Sequence, residues 1–178
     1  LHGLDPAERF TRCVDDIRLH HGDAECCVIT GDLADRGEDS AYRLLAEQIS
    51  RMDMECHLII GNHDHRENYR RCFAQAKVDD NGFVQYTVQT AAGVFIIIDT
   101  VEYDTHGGIY CEQRREWLQA TLAKHQHEAV YLFMHHPPFD LNFPCIGRNV
   151  TAQSRLPPKR TRVDDMHFKH GPHKRSLR

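Results

Sequence analysis

Three short polar phrases, each closing an apolar run, restrict what this chain can fold into more than any other feature. Cys26-Cys27-Val28-Ile29-Thr30 runs into Gly31-Asp32-Leu33-Ala34-Asp35, and His57-Leu58-Ile59-Ile60 runs into Gly61-Asn62-His63-Asp64. Ala129-Val130-Tyr131-Leu132-Phe133 runs into Met134-His135-His136-Pro137-Pro138. Short apolar runs bounded by turn residues read as buried strands, and helical patterns lie between them. Such alternation predicts an α/β fold with a mixed sheet, in which side chains at the carboxyl ends of strands share one crevice. Asp, Asn and His are the oxygen and nitrogen donors that divalent metals take. Alone, a Gly-Asp after a strand is usually a turn, and an Asn in a turn usually caps backbone groups. Three strand ends bearing such donors point instead to metal-assisted hydrolysis.

The remaining elements follow from local signals. Asp5 caps a helix with Pro6 at its first position and Glu8 in its first turn, and Phe10, Cys13, Val14 and Ile17 recur at helical spacing to about Leu19. A second helix is predicted from Glu38 to Arg51, with Ala41, Leu44, Leu45, Ile49 and Met52 on its inner face. A short one is predicted from Arg66 to Ala74. Residues 83–89 alternate in the antiparallel manner, and Ala91-Ala92-Gly93 turns them into a strand over Val94–Asp99. After a loop containing Gly107-Gly108, a helix over Glu112–Lys124 is expected to bury Trp117, Leu118 and Leu122.

Composition narrows the function classes. The chain of 178 residues suits one domain. No apolar stretch reaches the roughly 20 residues of a membrane span, and no charged-then-apolar leader opens the sequence, so the expectation is a cytoplasmic protein with no membrane partner. The seven cysteines form no C-x-x-C pair and read as reduced thiols. The net charge of −4 conceals a basic end, with eight Lys or Arg against two Asp from Thr151 onward. That end holds one aromatic, Phe168, and so lacks the stacking platform of a single-strand binder; nucleic acid is not the expected partner. Residues 1–146 are read as the domain. Residues 147–178 lose both periodicities and read as a basic tail that cannot offset its own ordering entropy.

As a set, Gly31-Asp32-x-x-Asp35, Gly61-Asn62-His63-Asp64 and His135-His136-Pro137-Pro138 resemble the second, third and fourth motifs of the calcineurin-like metallophosphoesterases. The fuller phrases Val28–Glu38 and Phe133–Phe139 are similar to the branch of class III cyclic-nucleotide phosphodiesterases and glycerophosphodiesterases. The resemblance implies an αββα sandwich and two divalent metal ions drawn from iron, manganese and zinc. It further implies that Asp32 bridges the metals, that Asn62 and His135 ligate the second, and that Asn62 and His63 contact the substrate phosphate. His63 would act as proton or hydrogen-bond donor, with a metal-bound hydroxide attacking phosphorus in line with the leaving oxygen. Asp35 and Asp64 are expected to orient neighbouring groups, and His136 to support His135. The implied substrate is a small phosphodiester such as a 3′,5′-cyclic nucleotide. The alternatives are a phosphomonoesterase on the same fold, or a catalytically impaired metal- or nucleotide-binding protein. Oligomeric state is open, and a homo-oligomer is compatible with the sequence.

Two family motifs have no counterpart. An Asp-x-His on an opening strand would precede Leu1, and Lys169-His170-Gly171-Pro172-His173 does not match Gly-His-x-His. The expectation is a piece of a longer protein, incomplete at its first strand, with a non-native end and weakened activity.

Overall fold

In the computed structural model, which describes residues 5–103 and 105–138, the first ordered decision is a helix cap. The Asp5 carboxylate accepts from the amides of Ala7 (2.9 Å) and Glu8, satisfying donors that a helix start leaves open, and α1 runs over Pro6–His20. Strand β1 (Cys26–Ile29) follows, then α2 (Asp39–Ile49) and β2 (Glu55–Leu58). β1 and β2 pair in parallel, with Cys27 opposite Cys56, so α2 is the crossover that a parallel pair requires. One bond extends the pairing beyond the strands, Ile59 N–H to the Ile29 carbonyl at 2.9 Å.

After α3 (Arg66–Cys72), strands β3 (Tyr86–Thr90) and β4 (Gly93–Ile98) form an antiparallel hairpin. Thr90 pairs with Gly93 across the two alanines of the turn. Gly93 sits at φ 135°, where a side chain would strike the Ala129 backbone. Helix α4 (Glu112–Lys124) then carries the chain to β5 (Val130–Met134), which pairs in parallel with β4. The described residues therefore form a two-stranded and a three-stranded sheet, the second of mixed direction. The mixed α/β architecture expected from the sequence is the one observed.

Each sheet has its own apolar cluster. Val94, Ile96 and Ile98 of β4, at the period of two that puts side chains on one face, pack with Leu118 of α4 and Tyr110. Tyr42 and Leu45 of α2 pack with Leu58, Ile60, Tyr69, Val84 and Val101. The two sheets touch where the hydroxyl of Tyr86 in β3 donates to the carbonyl of Leu58 in β2 at 3.1 Å and the Tyr86 ring lies edge-on to His57.

Three local expectations shift. On α2 the buried aromatic is Tyr42, at 0% exposure, while Leu44 is turned out. The Tyr42 hydroxyl donates to Asp64 and accepts from the His65 amide, so a polar partner, invisible to periodicity, sets the rotation of the helix. On α4, Trp117 and Leu122 are only partly buried, whereas Arg114 is fully enclosed. β3 starts at Tyr86 rather than at 83, because the Val84 amide donates to the Asp99 carboxylate at 2.9 Å instead of to a neighbouring strand. The stretch 147–178 and the position of Leu1 lie outside the described residues.

Candidate active site

Immediately beyond β1 the chain enters an unusual conformation. Gly31 has φ 105° and Asp32 φ 54°, and Asp32 is the one non-glycine described residue with positive φ. Left-handed backbone is tolerated by Asp but costs free energy, about 1–3 kcal/mol. Its effect is to turn the Asp32 carboxylate sharply out of the strand line. There Asp32 Oδ1 lies 3.3 Å from His135 Nε2 and accepts the His63 amide at 3.2 Å.

His135 arrives from the end of β5, 103 positions later in the chain. Its Nδ1 lies 2.8 Å from the Thr30 carbonyl; a carbonyl only accepts, so Nδ1 carries a proton, and Nε2 is the nitrogen that faces Asp32. A backbone carbonyl fixing one imidazole nitrogen is how metal-binding histidines are usually oriented. Gly61, at the end of the β2 segment, fits between the two donors. A Cβ at Gly61 would stand 2.5 Å from the Asp32 amide nitrogen and 2.9 Å from His135 Cε1, and would collide with Asp32 Oδ1. The close approach of the three strand ends thus needs glycine there. At Gly31, too, a Cβ would meet His135 Nδ1, at 2.5 Å.

Asp64 ties the two loops together. One of its oxygens accepts from the Leu33 (3.0 Å) and Gly61 (2.7 Å) amides, the other from the Ala34 amide and the Tyr42 hydroxyl at 3.0 Å each. Burial raises its pKa, and those four donors oppose the rise. These bonds join the loops after β1 and β2 to each other and to α2. His63, exposed, has Nδ1 2.8 Å from the Asp35 carbonyl. That hydrogen bond, ahead of the nearby carboxylates, raises its pKa. His136 is buried and stands edge-on to His135 at 4.9 Å. Its Nδ1 is 2.7 Å from Thr100 Oγ1, and burial, reinforced by His135, pushes its pKa down to about 4.

Asp32 and His135 are therefore brought together directly. Asn62 follows Gly61 directly in the chain, and its carboxamide Nδ2 lies 3.3 Å from His106 Nδ1. Nothing in the sequence marks His106 beyond its place in the Gly107-Gly108 loop. Among the described residues no three His, Cys, Asp or Glu side chains gather closely enough to hold a cation. The donors at this site are one carboxylate, one oriented imidazole and one carboxamide. They fit a borderline-hard divalent ion by chemistry: with Nδ1–H held by Thr30, an unprotonated Nε2 would offer its lone pair to an ion shared with Asp32.

These features agree with what comparison shows. The chain belongs to the calcineurin-like phosphoesterase family, whose model matches residues 1–166. A probable cyclic nucleotide phosphodiesterase of Rhodopseudomonas palustris is 38% identical over 79% of this chain and 52% of that protein. A probable glycerophosphodiester phosphodiesterase of Arcobacter nitrofigilis is 32% identical over 76% of this chain and 50% of its own length. The 3′,5′-cyclic adenosine monophosphate phosphodiesterase of Escherichia coli K12 is 27% identical over 78% of this chain and 49% of its own. The chain thus spans about half the length of the curated relatives it matches. No helix among the described residues is long and apolar enough to cross a membrane.

Proposed function

We propose that the protein takes part in metal-dependent hydrolysis of a small phosphodiester, a 3′,5′-cyclic nucleotide being the substrate class that the names of its relatives favour. The observation that carries this reading is the convergence of Asp32 and His135 from β1 and β5, 3.3 Å apart over a glycine floor. Asp32, Asn62 and His135 would hold divalent cations, of which the family site takes two from among iron, manganese and zinc. When bound, such ions act as Lewis acids and lower the pKa of a bound water to about 7.

The chain's own residues supply the rest. Thr30 fixes the His135 tautomer, and Asp64 locks the loops that carry Asp32 and Asn62. With Nδ1–H tied to the Asp35 carbonyl, a bond that favours the protonated ring, His63 directs Nε2 outward, where the imidazolium can donate to a phosphoryl oxygen or to the departing ester oxygen. Asn62 would contact the same phosphate.

The test is turnover of bis(p-nitrophenyl) phosphate, p-nitrophenyl phosphate and cyclic AMP with added manganese, for the wild type, D32A and H135A. Diester turnover lowered about 100-fold in both variants is expected, since removing part of a metal site's ligand shell has effects of at least that order. Diester turnover untouched by D32A overturns the reading, a preference for the monoester supports a phosphomonoesterase, and manganese binding without any turnover supports a binding protein.

A further inference from the structure

Asn62 has two unlike ends. Only its oxygen can coordinate a cation, while its NH2 must donate to something. In this structure the NH2 nitrogen lies 3.3 Å from His106 Nδ1, so Nδ1 accepts and the His106 proton sits on Nε2. We propose that His106 is a positioning residue for Asn62: by taking the NH2 end it keeps Oδ1 turned toward the crevice as a metal donor. This inference rests on the reading of Asn62 as a ligand given above.

The loop that carries His106 is built to hold it there. At its start, Arg114 donates to the Asp99 and Val101 carbonyls at 3.1 Å each, and Arg66 to the Val101 carbonyl at 3.0 Å. At its end, the Ile109 amide returns to the Thr100 carbonyl at 3.0 Å. Between them the Gly107 amide is held by Thr105 Oγ1 at 3.0 Å. Gly108 lies so close to His136 that a Cβ would meet that side chain at 2.5 Å, and His136 follows His135 directly. Both stems of the loop are therefore pinned to buried groups, one of them beside the imidazole that faces Asp32. The His106 ring also stands 6.0 Å from the His63 ring. His106 itself is exposed, so its removal opens no hole in the core.

Calorimetric titration of the metal-free protein with Mn(II), together with the Asn62 side-chain NH2 signals in a 15N-resolved spectrum, tests the assignment. H106A is expected to shift those signals and weaken Mn(II) binding about tenfold, the lower end of what loss of a group orienting a ligand costs. H106N, whose carbonyl oxygen occupies the Nδ1 position, restores most of the affinity. On an N62A background, H106A changes nothing further. Wild-type affinity in H106A, or penalties of H106A and N62A that simply add, overturns the assignment while leaving the metal site intact. Mn(II) binding that is absent in the wild type, or that survives D32A, overturns the metal reading and the His106 assignment with it.

Discussion

Replacing Gly61 by alanine is the sharpest perturbation of the site. The added Cβ would lie 2.5 Å from the Asp32 amide nitrogen and 2.9 Å from His135 Cε1, besides overlapping Asp32 Oδ1. Nonbonded carbon and nitrogen need roughly 3.5 Å, so the loop after β1 must withdraw by about 1 Å. Backbone as well as side chain must move, and the Gly31–Asp32 turn is already in left-handed conformation. Gly61 also donates its amide to Asp64 at 2.7 Å, which resists retreat on its own side. Overpacking of this kind costs about 1–3 kcal/mol, a fall in Tm of roughly 2–12 °C for a chain this size. A misplacement near 1 Å at a reacting centre costs about a hundredfold in rate. G61A should thus lose about a hundredfold in kcat/KM on the diester and bind Mn(II) more weakly, with a modest loss of stability. I96V, buried under α4, serves as the control: it should lower stability by about 0.5–1.5 kcal/mol and leave Mn(II) affinity unchanged. The reasoning is refuted if G61A loses stability yet binds Mn(II) and turns over like the wild type.

Two further outcomes concern the frame behind the site. Asp99 is fully buried, accepts from Arg66 at 2.8 and 3.0 Å and from the Val84 and Val101 amides at 2.9 Å each, and lies 3.7 Å from the Arg114 guanidinium; D99A removes the carboxylate that faces both guanidinium groups and should cost about 3–5 kcal/mol in urea unfolding. His57 is buried, which pushes its pKa below the ordinary histidine value, partly offset by Glu55. The unfolded chain then takes up that proton first, so stability should hold above about pH 6.5 and fall as pH drops toward the lowered folded value. H57Q should flatten this slope in urea titrations between pH 5 and 8, and a slope unchanged by the substitution would contradict the assignment.

The candidate site was legible where it depended on local pattern. Apolar runs ending in Gly-Asp, Gly-Asn-His and His-His mark strand ends, and strands in such folds present their carboxyl ends to one crevice. On that pattern Asp32, Asn62, His63 and His135 stand as candidates in the chain alone. The exact rotation of helices was less legible. Periodicity placed Leu44 inward, yet the bond from Tyr42 to Asp64, 22 positions away, decided that the tyrosine would be buried instead. The burial of Arg114 is illegible in the sequence for a related reason: its partners include the Asp99 and Val101 carbonyls, and every residue type carries a carbonyl.

What the sequence by itself determined is the order of strands and helices and the chemical type of the donors, because hydrophobic period and turn chemistry act over a few residues. What only the tertiary structure decided is the pairing of those donors. Asp32 and His135, Asn62 and His106, Asp64 and the loop after β1 are contacts across 30 to 103 positions of chain, made when two sheets close on their apolar clusters. A hydrogen bond acts over about 3 Å, and no local pattern encodes which distant atom will stand at that distance.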